Sequence, residues 1–282
     1  PVDFALFYND AEQNYIFINE MMVDPVPSSH LPEYEYIELL NRSDKELSLN
    51  DWTLHIDDHT EILGNITLQP GEFLLLCDEE ALESLNAFGN VHAFSSMPSL
   101  LNAEGEVSLQ DTSDTTIDQL YYNDRWYKDP EKEHGGYSLE RIDPANFCSG
   151  ILNWTASLDD AGGTPGKVNS VLATNPDTIP PQIQFFEVVN PQQLHLTFSE
   201  PLESTFFNQP EAFRVDQGIG HPYSIQVNHP YNDQLDLFFA SAFQTDQSYL
   251  FSAEGVADPC GNARSIDFSF VYHPIQPYEV QI

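Results

Sequence analysis

Two imidazoles and a carboxylate alternate in His55-Ile56-Asp57-Asp58-His59. On an extended strand His55, Asp57 and His59 point to one face, a ligand set that suits a divalent ion. A polar turn between strands accounts for the same residues. It is the favoured reading, because two-residue spacing rarely makes a site without ligands from elsewhere. A second cluster, Asp111, Asp114 and Asp118, offers the hard oxygens that calcium takes. It lacks a calcium-loop glycine and a bidentate glutamate at the required offset, so a solvated hairpin tip is the simpler expectation. Asp57, Asp58 and Glu61 repeat that pattern more weakly. These stretches assign no cofactor, and calcium is the one candidate ion.

Catalysis finds less support. The chain has no Gly-x-Ser-x-Gly elbow and no glycine loop that would cradle a phosphate. With 45 acidic residues, a carboxylate pair can be drawn almost anywhere, which empties such pairs of meaning. Glu35 and Glu38 fall in a strand and read as structural. No catalytic residue is therefore expected. Tyr121, Tyr122, Trp126 and Tyr127, with Arg125 and Lys128 among them, are the candidate contact surface, since exposed aromatics stack on sugars or on a protein partner. Packing at the edge of a sandwich is the competing account.

The chain has 282 residues, enough for one large or two ordinary domains. Nine basic residues face 45 acidic ones, a net charge of −36. Such a field repels nucleic-acid phosphates and anionic membranes. Strongly acidic chains are often disordered, but 19 Phe and 13 Tyr argue for folded cores. No apolar run is long enough to span a membrane. The chain starts at Pro1 without a leader pattern, so any signal peptide is expected to lie outside it. Phe4 to Tyr8 read as the end of a preceding segment spanning residues 1–14. Three cysteines give no disulfide framework: Cys77 reads as a small core residue, and a Cys77–Cys148 bridge is left open.

Alternation and turn residues place strands near 15–22, 35–40, 52–56, 62–67, 73–77, 91–94, 106–110, 117–121 and 137–141. One helix interrupts them, with Asp78 as N-cap, Glu79 and Glu80 in its first turn and Gly89 as its stop. Residues 142–170 read as irregular, with Trp154 as their anchor. In the central strand, Glu35 shares the face of Ile37 and Leu39. Arg141 shares the face of Leu139, and a structural ion pair between Glu35 and Arg141 is expected, because a lone buried charge is costly. A proline-rich linker spans 173–181 and ends in Pro180-Pro181, which favours an extended spacer. Seven short strands follow within 182–282, the number an immunoglobulin-like sandwich needs. Residues 178–282 hold 12 acids and 2 bases against 33 and 7 before them, so the charge sits mainly on the first domain.

Ile16-Phe17-Ile18-Asn19-Glu20, Glu35 to Leu39, Trp52-Thr53-Leu54, Leu68 to Leu75, Tyr137 to Arg141, Asn153-Trp154 and Gly163-Thr164-Pro165-Gly166 stand in the order seen in bacterial lamin tail domains. Residues 15–172 resemble that family. Leu196 to Leu202 and Val256 to Asn262 resemble the paired signatures of bacterial Ig-like domains. The resemblance implies two immunoglobulin-like β-sandwiches in tandem, an all-β chain with one short helix. It also implies an exported, extracellular or cell-surface setting and no known catalytic residues. The expected function is a non-catalytic spacer and binding module, a monomeric segment of a larger chain that contacts polysaccharide or a surface protein. Two alternatives stand beside it: an accessory region of a secreted nuclease, phosphoesterase or other hydrolase, and a calcium-stiffened adhesion segment.

Overall fold

The computed structural model describes residues 15–146, 148–227 and 232–273. The expected segment end at Phe4 to Tyr8 lies outside them. The chain divides into two compact units that part between Pro176 and Asp177.

In the first unit the strands are β1 Ile16–Met22, β2 Tyr36–Asn41, β3 Leu47–Ser48, β4 Thr53–Ile56, β5 His59–Ile62 and β6 Thr67–Leu68. There follow β7 Phe73–Asp78, β8 Val91–Phe94, β9 Glu104–Gln110, β10 Thr116–Asn123, β11 Leu139–Arg141 and β12 Trp154–Ala156. A six-stranded sheet runs β12-β11-β1-β2-β7-β8, a four-stranded sheet runs β10-β9-β4-β5, and β3 pairs with β6 in a short ribbon. The strand expected at 62–67 is corrected: β5 ends at Ile62 and β6 begins at Thr67, and Leu63 to Ile66 connect them. β8 runs parallel to β7, because the helical crossover returns the chain in the same direction. That crossover is a 3-10 turn at Glu79–Ala81, the helix α1 at Leu82–Leu85 and a second 3-10 turn at Asn86–Phe88. Asp78 caps it by accepting from Glu80 N–H, and Gly89 ends it at φ 150°, as the sequence indicates.

The two sheets enclose Ile16, Ile18, Ile37, Leu39, Trp52, Leu54, Leu74, Leu76, Val107, Leu109 and Trp154. Alternate residues on the outer face of the six-stranded sheet are buried too: Met22, Tyr36, Leu75 and Cys77 pack with Leu31, Ala81 and Leu85. Both faces of this sheet are therefore covered, and every residue of β1 is buried. In such a sheet the outward set of an alternating strand lies in the interior rather than in water. That is how three glutamates come to be enclosed.

The second unit contains β13 Ile183–Asn190, β14 Gln193–Phe198, β15 Phe213–Val215, β16 Ser224–Val227, β17 Gln234–Phe238, β18 Ser248–Ala257 and β19 Ala263–Val271. They form the sheets β13-β14-β17-β16 and β15-β18-β19. Counted within the unit, strands one, two, five and four face strands three, six and seven, which is the arrangement of a constant-type immunoglobulin sandwich. Leu194, Leu196 and Phe198 point inward against Phe251, Phe239 and Phe270, as their alternation indicates.

Candidate functional site

Arg141 closes the gap between the sheets of the first unit. β11 pairs with β1 only at Glu140–Glu20 and Leu139–Met21, so the ladder stops before Ile18. Side chains take over there. Arg141 Nη2 meets Asp118 Oδ2 at 2.6 Å, its Nε donates to Ile18 O at 2.9 Å, and the same Asp118 oxygen accepts from Ile18 N–H at 2.8 Å. Both backbone groups of Ile18 are thus satisfied by an ion pair standing in for a missing strand. The guanidinium lies against the rings of Phe17 and Trp154, 5.2 and 4.9 Å from their centroids. The expected Glu35–Arg141 pair is thereby corrected: the carboxylate that meets Arg141 is Asp118, which comes from the opposite sheet. Glu35 lies just before β2, is partly buried and accepts from Leu100 N–H.

The outer face of the six-stranded sheet holds a second polar centre. Glu20, Glu38 and Glu140 are adjacent across the strands, Glu20 being in register with both others. All three are fully buried. Residues 163–171 lie over them as a strap. Thr164 N–H donates to Glu20 Oε1 at 2.8 Å, and Gly166 N–H donates to Glu38 Oε2 at 2.6 Å. Ser170 Oγ and Val171 N–H donate to Glu140 Oε2. Asn169 donates to Asn19 O and Arg141 O. Tyr36 O–H adds a bond of 2.6 Å to Glu20 Oε1, and Asn19 Nδ2 one of 2.8 Å to Glu38 Oε1. Burial, then the charge of Glu140, pushes the Glu20 carboxyl up to about 7. Burial, then Glu20, raises that of Glu38 well above its usual range.

The glycines of Gly163-Thr164-Pro165-Gly166 have physical work here. A Cβ at Gly163 would stand 2.7 Å from Glu20 Oε1. At Gly166, where φ is +73°, it would stand 1.9 Å from Phe88 O. The strap reaches the carboxylates only because these side chains are missing.

The other predicted residues do not converge. His55 lies in β4 and His59 in β5, facing Thr60 and Ile56 respectively, while Asp57 occupies the hairpin turn at φ +49°. Both ring nitrogens of His55 are engaged, Nδ1 with Thr60 Oγ1 and Nε2 with Gln110 Oε1 and Thr53 Oγ1. Asp57 Oδ1 accepts from Glu106 N–H. Asp111 Oδ1 is the hub of a hairpin tip, accepting from Ser113 N–H, Ser113 Oγ and Thr115 N–H. Asp114 sits in that tip at φ +60°, while Asp118 is turned inward to Arg141. Of the aromatic run, Tyr122, Trp126 and Tyr127 are buried in the core and only Tyr121 reaches the surface. The expected contact surface is corrected accordingly: the run packs the sandwich, with Trp126 beside Trp154 at 5.9 Å between ring centroids. Cys77 is a free, buried thiol, so it forms no bridge with Cys148.

One carboxylate group that sequence reasoning missed does converge. In the second unit Asp177, Glu200 and Asp258 bring ligand atoms within 4.8 Å of one another. Asp258 is buried and accepts from Asn262 N–H and Nδ2. Burial, then Asp177 and Asp258, pushes the Glu200 carboxyl up to about 7. These residues are separated by 23 and 58 positions, and no spacing rule joins them.

The family model of the lamin tail domain matches residues 9–124. The chain carries a lamin tail domain. The match covers β1 to β10, and the compact unit extends past it to include β11, β12 and the strap, which complete the six-stranded sheet. The Glu20–Glu38 half of the acidic centre therefore lies inside the matched lamin tail residues, and Glu140 and Thr164 lie beyond them. No curated protein matches the chain. Two solved structures are similar in part. The N-terminal part of the bacterial S-layer protein SbsC is 16% identical with a TM-score of 0.30, over 34% of this chain and 24% of that one. The S-layer protein rSbsC(31-844) is 16% identical with a TM-score of 0.31, over 34% of this chain and 14% of that one. Less than a quarter of either S-layer chain is spanned.

Proposed function

We propose that the chain is a non-catalytic structural module, a spacer within a larger bacterial protein that is secreted or held at the cell surface. One observation carries the reading. The ionisable groups gathered in the lamin tail unit, Asp118, Arg141, Glu20, Glu38 and Glu140, are buried and bonded to the backbone and side chains of the fold itself. Groups so engaged hold strands and loops together and do not face a cleft where a substrate would meet them. The net charge of −36 supports a module that keeps away from nucleic acid and anionic lipid, and it leaves polysaccharide or another surface protein as the class of partner. Among the described residues no helix is long and apolar enough to cross a membrane. The test is replacement of this region in the full-length protein by an unrelated pair of β-sandwiches of equal length. A spacer tolerates the exchange. Loss of the parent protein's activity or attachment would show that this region supplies a specific ligand site.

A second reading, a calcium-stiffened segment, draws on the convergence of Asp177, Glu200 and Asp258. Hard carboxylate oxygens are what calcium selects. Titrating calcium while following thermal unfolding decides it: a midpoint that rises at millimolar calcium supports the reading, and one that stays put removes it.

A further inference from the structure

Thr164 Oγ1 stands 3.0 Å from Glu20 Oε2 and 3.0 Å from Glu140 Oε1. A threonine hydroxyl has one hydrogen, and an ionised carboxylate has none. Two carboxylate oxygens against one hydroxyl therefore need a second proton. The remaining oxygens already accept: Glu20 Oε1 from Tyr36 O–H and Thr164 N–H, and Glu140 Oε2 from Ser170 Oγ and Val171 N–H. Ser138 Oγ also reaches Glu20, but it does not relieve the Thr164 contacts. A proton on Glu20 Oε2, which Thr164 Oγ1 accepts while donating its own to Glu140 Oε1, satisfies both.

We propose that Glu20 holds a proton against the Thr164 hydroxyl, which donates in turn to Glu140, and that this proton holds the strap of residues 163–171 on the sheet, releasing it as pH rises. The strap depends on polar anchoring. Its Pro165 is buried, but Val168 is 59% exposed and Leu172 just after it 51%, so polar bonds carry much of its anchoring. Tyr36 and Glu38 from β2 and Glu140 from β11 face Glu20, and Lys167, the strap's one charged residue, is exposed. Arg141 points to the other face of the sheet, toward Asp118. Loss of the proton to solvent leaves adjacent buried charges with no cation among them, which is costly.

The rise of the Glu20 carboxyl to about 7 agrees in sign. A carboxyl raised in the folded state stabilises it fully below the unfolded value of 4.5, and that contribution is lost as pH climbs through about 7. One extra bound proton changes the opening constant by up to about tenfold per pH unit, or about 300-fold across this window.

Hydrogen exchange of the strap amides, including Thr164, Gly166 and Val171, tests this in the intact chain between pH 5 and 9, corrected for intrinsic exchange. Wild-type protection is expected to fall as pH rises from 5 to about 7, by up to about 100-fold, and to level off above that. Glu20→Gln should hold protection level, because its amide nitrogen donates to Thr164 Oγ1 permanently while Oε1 keeps both donors. Glu140→Gln should do the same from the other side, and serves if the first variant folds poorly. Glu38, also raised and bonded to Gly166 N–H, and Glu200, raised to about 7, are controlled by Glu38→Gln and Glu200→Gln, each of which should keep the wild-type slope at Thr164 and Val171. Wild-type protection that is equal at pH 5 and 9, or a slope that survives in both variants, overturns the proposal.

Discussion

Replacing Asp118 and Arg141 together tests whether they are an ion pair or a substitute strand. Arg141→Met alone leaves Asp118 buried and negative among apolar neighbours, and breaking a buried pair in that way costs about 3–5 kcal/mol. For a unit of this size each kcal/mol moves the melting temperature by about 2–4 °C, so a fall of roughly 6–20 °C is expected. Adding Asp118→Leu removes the stranded charge, and a buried pair exchanged for apolar residues is often neutral or stabilising. Here it should not be, because Ile18 N–H and Ile18 C=O lose the only partners that β11 fails to provide. Two buried backbone groups left without partners cost about 1–3 kcal/mol each. The double variant is therefore expected to regain part of the single variant's loss and to remain about 2–4 kcal/mol below wild type. Urea unfolding followed by Trp fluorescence measures all three proteins. A double variant as stable as wild type would show that the ion pair does no backbone duty, and the argument from the interrupted ladder would fail.

Gly166→Ala places a methyl group 1.9 Å from Phe88 O at φ +73°, and should cost at least the roughly 1–3 kcal/mol of a strained backbone, read as a lower urea midpoint with faster strap exchange. Glu200 is raised to about 7, so the second unit should lose stability as pH climbs through that value. Glu200→Gln should flatten that slope in thermal melts from pH 5 to 8.5, leaving the strap amides unaffected. The Cys77 thiol is pushed up to about 11 by burial and then by Asp78, so a thiol reagent at pH 8 should leave it untouched in the folded chain and label it in urea. Trp126→Ala should cost about 3–5 kcal/mol as a core deletion, seen as a lower melting temperature of the first unit.

What the sequence determined by itself was most of the strands and the side their residues face, because strand periodicity and turn chemistry are local. The two-residue β3 and the three-residue β12, inside the stretch read as irregular, are too short to show a period. Ile37 and Leu39 alternate with Glu38, Leu194 and Leu196 with His195, and Asp78 and Gly89 bracket the helical crossover, all within a few residues of one another. Parity also put Arg141 on the core face. It could not say what Arg141 meets, since its partner comes from the other sheet and depends on how the sheets stack. The same limit hid the burial of Tyr122, Trp126 and Tyr127, an aromatic run that reads alike whether a neighbouring strand covers it or not. The acidic centre was beyond reach for a related reason. Glu20, Glu38, Glu140 and Thr164 are up to 144 residues apart, and only strand register and a strap with glycines at its contact points bring them together. Spacing along a chain decides which face a side chain takes; tertiary packing alone decides whether that face meets water, a neighbour or a proton.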